Sequence, residues 1–220
     1  MKLIDPSVTI LTPKSVIDAN AKIIEIAGRT CYRSEDKITE DSWKKFIKTL
    51  IQSGHTSVLE HSILTVKFVT DRGTANELVR HRHCAFSQES TRYCDYTKDK
   101  FSGEIKFIKP SWYDTSGYKD ASKIFYEECS YDEKNYIDLK NKGMKTELCR
   151  NVLPLATATT LVMSASYREW RSVLELRLSK YAHPDMQFLM KLLLAQLYEK
   201  IPVIFDDLLL LELHLNICQQ

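Results

Sequence analysis

Two stretches rich in β-branched residues stand far apart in this chain, and the segments around them are patterned for amphipathic helices. Ile63–Thr70 and Thr157–Ala165 have the composition of buried strands. Helical spacing of apolar residues predicts helices over 13–27, 41–53, 74–82, 120–142, 146–152, 167–179 and 185–200. Helices with a few intervening strands predict an α+β fold, and the absence of a linker or repeat predicts one domain over residues 1–220.

Capping residues set the expected helix ends. Thr12 is the expected N-cap of the first helix, with Pro13 at its first position, and Gly28 is expected to end it. Gly54 and Gly143 follow the second and fourth helices and are expected to terminate them.

The charge balance does not favour nucleic acid as a partner. Lys and Arg number 31 and Asp and Glu 29, so the formal net charge is only +2. Hydrophobic residues make up 44% of the chain, which excludes a disordered protein and is typical of a globular one. Any anion site must therefore be a local cluster of cations.

Signals for secretion or membrane insertion are not expected. Met1–Ile10 lacks the apolar core of a secretory signal, and the longest apolar run, Leu208–Leu211, is too short to span a membrane. The six cysteines, which lack a CxxC pair, are Cys31, Cys84, Cys94, Cys129, Cys149 and Cys218. This pattern predicts reduced thiols and a cytoplasmic protein without membrane association.

The segment Arg80–Tyr93 concentrates three arginines and two histidines among hydroxyl and amide side chains. Guanidinium groups bind phosphate oxygens in bidentate pairs, and Ser or Thr hydroxyls complete such a site. A solvated basic face is the alternative interpretation. Because Cys84, Ala85 and Phe86 lie among the charges, we favour an anion-binding site.

Metal binding is a weak hypothesis for this chain. The histidines of Gly54–His61 do not have the HExxH spacing, and a hydrogen-bonded turn there is an open alternative. Four other side chains could in principle ligate zinc, namely His81, His83, Cys84 and Cys94. Arg80 and Arg82 would repel a dication, so no metal is expected.

Further arginines lie downstream, at Arg150 near the end of a short helix and at Arg168, Arg171 and Arg177 on the next one. Arg177 falls on the predicted apolar side of its helix, where a cation requires an anion. A salt bridge within the chain, to Glu175 or another carboxylate, is the alternative. The phosphate-cradling patterns GxGxxG and GxxxxGK[ST] do not occur, so anion binding would rely on such side chains.

Four segments together resemble the flavin-dependent thymidylate synthases. The family signature, Arg-His-Arg followed after seven residues by Ser, stands here as Arg80-His81-Arg82 and Ser90. Three further blocks occur in the family's order: residues 54–61, 150–154 and 166–177. The resemblance spans nearly the whole chain and implies helices packed around a small, mostly antiparallel sheet.

The resemblance also implies a homotetramer that binds FAD and uses dUMP, methylenetetrahydrofolate and NADPH, in sites shared between subunits. The residues that would contact FAD are Ser57, Glu60, Arg80, His81, Arg82, His83, Gln88, Ser166, Arg168 and Ser172. Those that would bind dUMP are Glu77, Leu78, Val79 and Arg80 from one subunit, and Gln88, Glu89, Ser90, Thr91, Arg92 and Arg150 from another. Ser166 and Ser172 stand where asparagines are frequent in the family.

By the same resemblance, Arg177 would lie against the uracil ring as the catalytic residue. A guanidinium beside the ring favours its anionic form, because an opposite charge lowers a pKa. No cysteine follows a proline as the nucleophile of the ordinary thymidylate synthases does. The expected reaction is therefore reductive methylation of dUMP to dTMP without a covalent cysteine intermediate.

Two other interpretations are open. The cations of Arg80–Arg92, with Phe86 and Tyr93 for base stacking, would suit a single-stranded nucleic-acid module, although the near-zero net charge weighs against it. A family member kept only for assembly is the other alternative. The arginines present at the motif positions argue against it.

Overall fold

The computed structural model describes residues 1–98 and 103–208. Its strands are β1 (Lys2–Ile4), β2 (Ser7–Ile10), β3 (Ile63–Asp71), β4 (Ala85–Gln88), β5 (Lys106–Ile108) and β6 (Ala158–Ser166). Its helices are α1 (Lys14–Thr30), α2 (Ser42–Gln52), α3 (Arg72–Leu78), α4 (Lys119–Asn141), α5 (Thr146–Cys149), α6 (Tyr167–Arg177) and α7 (Pro184–Lys200). Residues 202–208 are also helical. Cys218 and residues 209–211 of the apolar run lie outside the described residues.

The strands form a four-stranded sheet in the order β2-β3-β6-β4 and a parallel pair, β1 with β5. β3 and β6 are the internal strands, and alternate residues along each are buried. This alternation is what a strand with one face against a core requires. The predicted α+β class, with helices around a small and mostly antiparallel sheet, is confirmed.

Contacts within the chain divide it into two compact units. Unit 1 comprises residues 1–7, 68–80 and 87–161, and unit 2 comprises residues 8–67, 81–86 and 162–220. Each unit gathers segments that are distant in sequence, so neither corresponds to a continuous stretch of chain. One domain over residues 1–220 stays a prediction.

Unit 2 is built on helices that bury one apolar side. Its fully buried side chains include Ile17, Ile24, Ile47, Leu59, Trp170 and Leu193. Trp170 of α6 also donates its indole N–H to the carbonyl of Leu64 on β3, 3.0 Å away, which fixes α6 against this strand. The site residues of α6 are therefore carried on an anchored helix.

Unit 1 has a separate core between α4, α5 and β5. Its buried members are Tyr96, Ile105, Phe107, Cys129, Tyr136 and Cys149. The rings of Tyr96 and Tyr136 meet edge to face with centroids 5.7 Å apart. The chain's amino terminus pairs with Glu133 of α4 at 2.6 Å and ties β1 to this core.

The first helix differs from its predicted ends at both sides. Pro13, and not Thr12, is at the N-cap position, because the Thr12 hydroxyl accepts the backbone N–H of Thr65 instead. The helix also continues through Gly28 to Thr30. A Cβ on Gly28 would lie 2.7 Å from Cε1 of Phe46, so this glycine permits close packing of α1 on α2 and does not stop the helix.

The predicted helix over 74–82 is wrong at both ends. Asp71 caps α3 by accepting the N–H of Thr74 at 2.7 Å, so the helix begins at Arg72 and ends at Leu78. The strand β4 then follows, and it was not predicted. Gly54 and Gly143, with φ of 73° and 80°, do follow α2 and α4 as expected.

Candidate active site

The predicted site residues fall into two groups, one in each unit. In unit 2 they lie on the segment Thr56–His61, on the turn that begins at His81, and on α6. In unit 1 they lie at the end of α3, along the end of β4 with the turn after it, and at the short helical turn that follows α5.

The amino end of α6 gathers three predicted flavin-contacting residues of unit 2. Ser166 is the N-cap, and its Oγ accepts the backbone N–H of Glu169 at 3.1 Å. The same hydroxyl donates to Oε2 of Glu60 at 2.6 Å, and Nη1 of Arg168 lies 3.5 Å from Oε1 of that carboxylate. Glu60, Ser166 and Arg168 therefore share one polar cluster.

Four other predicted flavin contacts of unit 2 are exposed, whereas a fifth, His81, is largely buried. Ser172 is one turn beyond Arg168 on α6 and donates to its backbone carbonyl at 3.3 Å. Ser57, Arg82 and His83 are solvent-exposed, and no hydrogen bond or ion pair joins their side chains to another residue of the described chain. The structure thus brings together only part of the predicted set.

Arg177 meets His81 of the Arg-His-Arg triplet. Its Nε–H donates to Nε2 of the imidazole at 3.0 Å. Burial lowers the pKa of His81, and the nearby positive charge of Arg177 lowers it further. The ring is therefore neutral at neutral pH and can accept this hydrogen bond. Glu175, one carboxylate of the alternative interpretation, lies 3.8 Å from Arg171.

Glu169, which the sequence analysis missed, and Cys84, which it considered only as a zinc ligand and as a member of the basic segment, lie next to this contact. Oε1 of Glu169 lies 4.0 Å from Nδ1 of His81 and 3.9 Å from Sγ of Cys84. Burial, together with the Glu169 charge and hydrogen bond, raises the pKa of Cys84 to about 12. The only sequence signal for Glu169 was its place three residues after Ser166, which is the capping-box spacing.

In unit 1, Gln88 and Glu89 are hydrogen-bonded to β6, and Glu89 also to Tyr96. The Gln88 side chain donates to Oγ1 of Thr159 at 3.4 Å, and Arg72 donates to the same hydroxyl at 3.3 Å. The backbone N–H of Glu89 donates to the carbonyl of Thr160 at 2.9 Å. Its carboxylate accepts the hydroxyl of Tyr96, whose pKa is raised mainly by burial.

The turn after β4 carries the remaining predicted dUMP residues. The Ser90 carbonyl accepts the N–H groups of Tyr93 and Cys94, and the Ser90 hydroxyl accepts that of Arg92. Nη2 of Arg92 lies 3.6 Å from Glu147, which precedes Arg150 by one helical turn. Arg92 therefore pairs with α5 three residues before Arg150, and both arginines are exposed.

The segment Glu77–Arg80 comprises the last two residues of α3 and the two residues that follow it. The Leu78 side chain is fully buried, so only its backbone could reach a ligand, whereas the Arg80 side chain is exposed. The backbone N–H of Arg80 donates to the carbonyl of Glu77 at 3.2 Å and closes the turn. Thr91 is also buried, with an exposed fraction of 6%.

Among the described residues, no three His, Cys, Asp or Glu side chains converge as metal ligands would. Within the same ranges, no helix is both long enough and apolar enough to cross a bilayer. All cysteines of the described ranges are free thiols.

Comparison with known proteins gives matches over most of the chain. Residues 15–203 match the model of the family described as thymidylate synthase complementing protein. Flavin-dependent thymidylate synthase of Corynebacterium aurimucosum is 32% identical over 198 residues, which cover 84% of this chain and 78% of the relative. The enzyme of the same name from Mycobacterium tuberculosis is 31% identical over 206 residues, covering 86% and 80%.

A solved structure has a similar fold. The UMP/dUMP methylase PolB from Streptomyces cacaoi, crystallised with 5-Br dUMP, superposes with a TM-score of 0.71 over 94% of this chain and 96% of that one. The sequence identity is 21%, so the likeness bears on the fold.

Proposed function

The chain belongs to the thymidylate synthase complementing protein family, and from this we propose that it methylates dUMP to dTMP, with methylenetetrahydrofolate as carbon donor and NADPH-reduced FAD as reductant. The relatives named flavin-dependent thymidylate synthase support the reaction class. The observation that carries the proposal is the 3.0 Å contact of Arg177 with His81, because it joins two motif blocks that lie 96 residues apart.

The polar cluster at the amino end of α6 fits the flavin nucleotide. The Arg168 and Glu60 side chains are 49% and 51% exposed and only 3.5 Å apart, so their pairing is weak. A diphosphate oxygen can replace the carboxylate at little cost, and the hydroxyls of Ser166 and Ser172 supply further hydrogen bonds. FAD, when bound and reduced, supplies the hydride that this reaction requires.

Exposed cations of unit 1 suit the phosphate of dUMP. Arg92 is 54% exposed and pairs loosely with Glu147, and Arg80 and Arg150 are exposed as well. Guanidinium groups bind phosphate in bidentate pairs. We assign these three side chains to the nucleotide phosphate, and Gln88 to the amide edge of the base.

Arg177 is the residue we assign to catalysis. Its Nε–H contacts the neutral imidazole of His81, and a guanidinium charge beside the uracil ring would stabilise the anionic form of the ring. The mechanism needs no cysteine nucleophile. Cys84, the cysteine next to this cluster, has a pKa of about 12 and stays protonated at neutral pH.

We further propose that the protein is a cytoplasmic homotetramer with sites completed by neighbouring subunits. Exposure of Arg80, Arg92 and Arg150 in one chain supports this, because a site for a nucleotide normally encloses its ligand.

Two assays of the purified protein test the proposal. The first is the visible spectrum of the supernatant after denaturation, which is expected to be that of FAD. The second is dTMP formation, which is expected to require dUMP, methylenetetrahydrofolate and NADPH. A protein that is saturated with FAD and forms no dTMP would contradict the proposal.

Substitution of Arg177 tests its role. Arg177→Ala is expected to lower kcat by roughly 100-fold, since removal of one preorganised donor has this effect, while the flavin spectrum is retained. Lys180→Ala, which removes an exposed cation three residues along, is the control and should leave kcat unchanged. Equal rates for the two variants would refute the assignment.

Binding of oligonucleotides distinguishes the remaining alternative. A single-stranded nucleic-acid module would bind them tightly, with an affinity that falls steeply with salt, and would lack affinity for flavin. We expect weak binding, because the net charge is +2.

A further inference from the structure

Glu169, His81 and Arg177 form a row along α6 in unit 2. Glu169 is in the first turn of the helix and Arg177 in its last turn. The imidazole of His81 lies between their side chains, with Nδ1 4.0 Å from the carboxylate and Nε2 3.0 Å from Nε of the guanidinium. Eight residues of helix rise by about 12 Å, so the ring bridges two ends that cannot meet directly.

The direction of the hydrogen bond fixes the tautomer of His81. Nε2 accepts from Arg177 and so carries no proton, and the proton of the neutral ring is on Nδ1, which faces Glu169. The ring dipole then has its N–H end at the carboxylate and its lone pair at the guanidinium. The other tautomer would place an N–H against Arg177 and a lone pair against Glu169, so both contacts would be repulsive.

The row is shielded from solvent, which strengthens these electrostatic contacts. The exposed fractions of the His81 and Glu169 side chains are 9% and 18%. Cys84 donates its S–H to the same oxygen of Glu169 that faces the imidazole, and this second contact orients the carboxylate. The charged groups that face His81 from the described elements are Glu169 and Arg177, both of α6, and the Cys84 thiol beside them is neutral.

We propose that Glu169 is a positioning residue: it holds His81 in the Nδ1–H tautomer, and His81 thereby holds the guanidinium of Arg177 in the orientation used on the substrate. The proposal rests on the assignment of Arg177 to the uracil ring. An arginine side chain loses rotamer entropy when it is immobilised. If the row orders Arg177 before dUMP binds, this entropy loss does not weaken substrate binding or raise the activation free energy.

The tautomer can be measured without any assay of turnover. Nitrogen-15 spectra of the FAD-loaded protein, labelled on its six histidines, report which ring nitrogen is protonated, and His81→Gln identifies the His81 signals. We expect His81 as one neutral tautomer protonated on Nδ1. A ring protonated on Nε2 would overturn the proposal, even if no substitution of Glu169 gave a folded protein.

Substitution of Glu169 tests whether the carboxylate is responsible. In Glu169→Gln we expect both tautomers of His81 and a kcat about tenfold lower, which is the smaller effect typical of losing an orienting partner. Glu175→Gln makes the same chemical change on the same helix, at a side chain 55% exposed, and should alter neither measurement. An unchanged tautomer and an unchanged kcat in Glu169→Gln would refute the role of the carboxylate.

A double-mutant cycle separates positioning from a structural role. If Glu169 acts only through Arg177, Glu169→Gln should lower kcat in the wild-type background and have little further effect in the Arg177→Ala background. Equal losses in both backgrounds would mean that Glu169 acts by another route. If the wild type forms no dTMP but His81 has the expected tautomer, the proposed function fails and the orientation of Arg177 by the row stands.

Discussion

Ser166 caps α6 with an oxygen that accepts the N–H of Glu169, and Asn caps helices about as well as Ser does. This equivalence explains why serine can stand where asparagine is frequent in the family. We expect Ser166→Asn to change the free energy of unfolding by less than about 0.5 kcal/mol, and Ser166→Ala to lower it by about 1 kcal/mol. Urea denaturation followed by circular dichroism measures both values.

The flavin affinity of the same two variants tests the second hydrogen bond of the Ser166 hydroxyl, which is the one it donates. Ser166 Oγ also donates to Glu60, within the cluster assigned to FAD. Ser166→Ala should therefore weaken FAD binding, and Ser166→Asn should keep it, because its amide can donate in place of the hydroxyl. Loss of FAD binding in both variants would show that an amide cannot replace the hydroxyl.

Asp207 provides a test of pH dependence. Its carboxylate accepts two hydrogen bonds from Arg171, at 2.7 and 2.6 Å. Burial alone would raise the pKa of Asp207, but the hydrogen bonds and charge of Arg171 outweigh this and hold the pKa below its ordinary value. The stabilisation is therefore present above the unfolded-state pKa and is lost as the pH falls through the lower, folded-state value.

Asp207→Asn is expected to lower the free energy of unfolding by about 1 kcal/mol near neutral pH, a value discounted for the 45% exposure of the carboxylate. The difference from wild type should shrink as the pH falls below the ordinary carboxyl pKa, because the wild-type carboxyl is increasingly protonated there. Thermal denaturation at several pH values measures this. Asp206→Asn, which breaks a pair with the exposed Lys48, is the control and should have a smaller effect. A difference that does not depend on pH would contradict the assignment.

At the scale of elements, the packing of α1 on α2 depends on Gly28. A Cβ there would lie 2.7 Å from Phe46 Cε1 and 3.0 Å from Leu50 Cδ1. The Phe46 ring cannot easily move away, because the Arg29 guanidinium lies 4.4 Å from its centroid and is paired with the buried Glu25. Alanine would gain about 1 kcal/mol of helix propensity, but overpacking typically costs 1–3 kcal/mol.

We therefore expect Gly28→Ala to lower the free energy of unfolding by about 1 kcal/mol, as measured by urea denaturation. In a Phe46→Leu background the same change should become neutral or stabilising, because the obstructing ring atoms are gone and the gain in helix propensity remains. A destabilisation of equal size in both backgrounds would contradict the steric explanation.

Local patterns predicted most helices and the two internal strands, and they failed where long-range pairing decides the structure. The strand β4 is short, and its end is held by the bond from Glu89 N–H to Thr160, which is 71 residues away. No local pattern encodes such a partner. Likewise, the sequence placed Arg177 on the predicted apolar side of its helix. It could not reveal that Glu169 and His81 lie along the same row, because that requires the turn at His81 to pack against α6.

At the scale of the whole molecule, one chain leaves much of its candidate site and an apolar helix face uncovered. On α1, the buried residues include Ile17, Ala21 and Ile24, whereas Val16, Ile23 and Ile26 are 44–49% exposed. These three lie on a different side of the helix from the buried residues, given its 100° per residue. A second apolar side on one helix supports the proposed assembly of several copies.

Shared sites make a prediction about mixtures of inactive variants. If Arg80 and Arg92 serve one nucleotide from different subunits, Arg80→Ala and Arg92→Ala should each lose activity at limiting dUMP. Their co-expression should restore part of it. A hybrid tetramer contains sites in which the subunit supplying residue 80 is the Arg92→Ala chain and the subunit supplying residue 92 is the Arg80→Ala chain. Such sites have both arginines.

Random mixing makes about a quarter of the sites intact, because each of the two contributing subunits is of the required kind half of the time. We therefore expect co-expressed protein to show about a quarter of the wild-type rate of dTMP formation at limiting dUMP. The two variants purified separately and mixed without subunit exchange should stay inactive, which is the control. If both arginines served the site from one chain, every site in the hybrid would lack one of them, and co-expression would restore nothing.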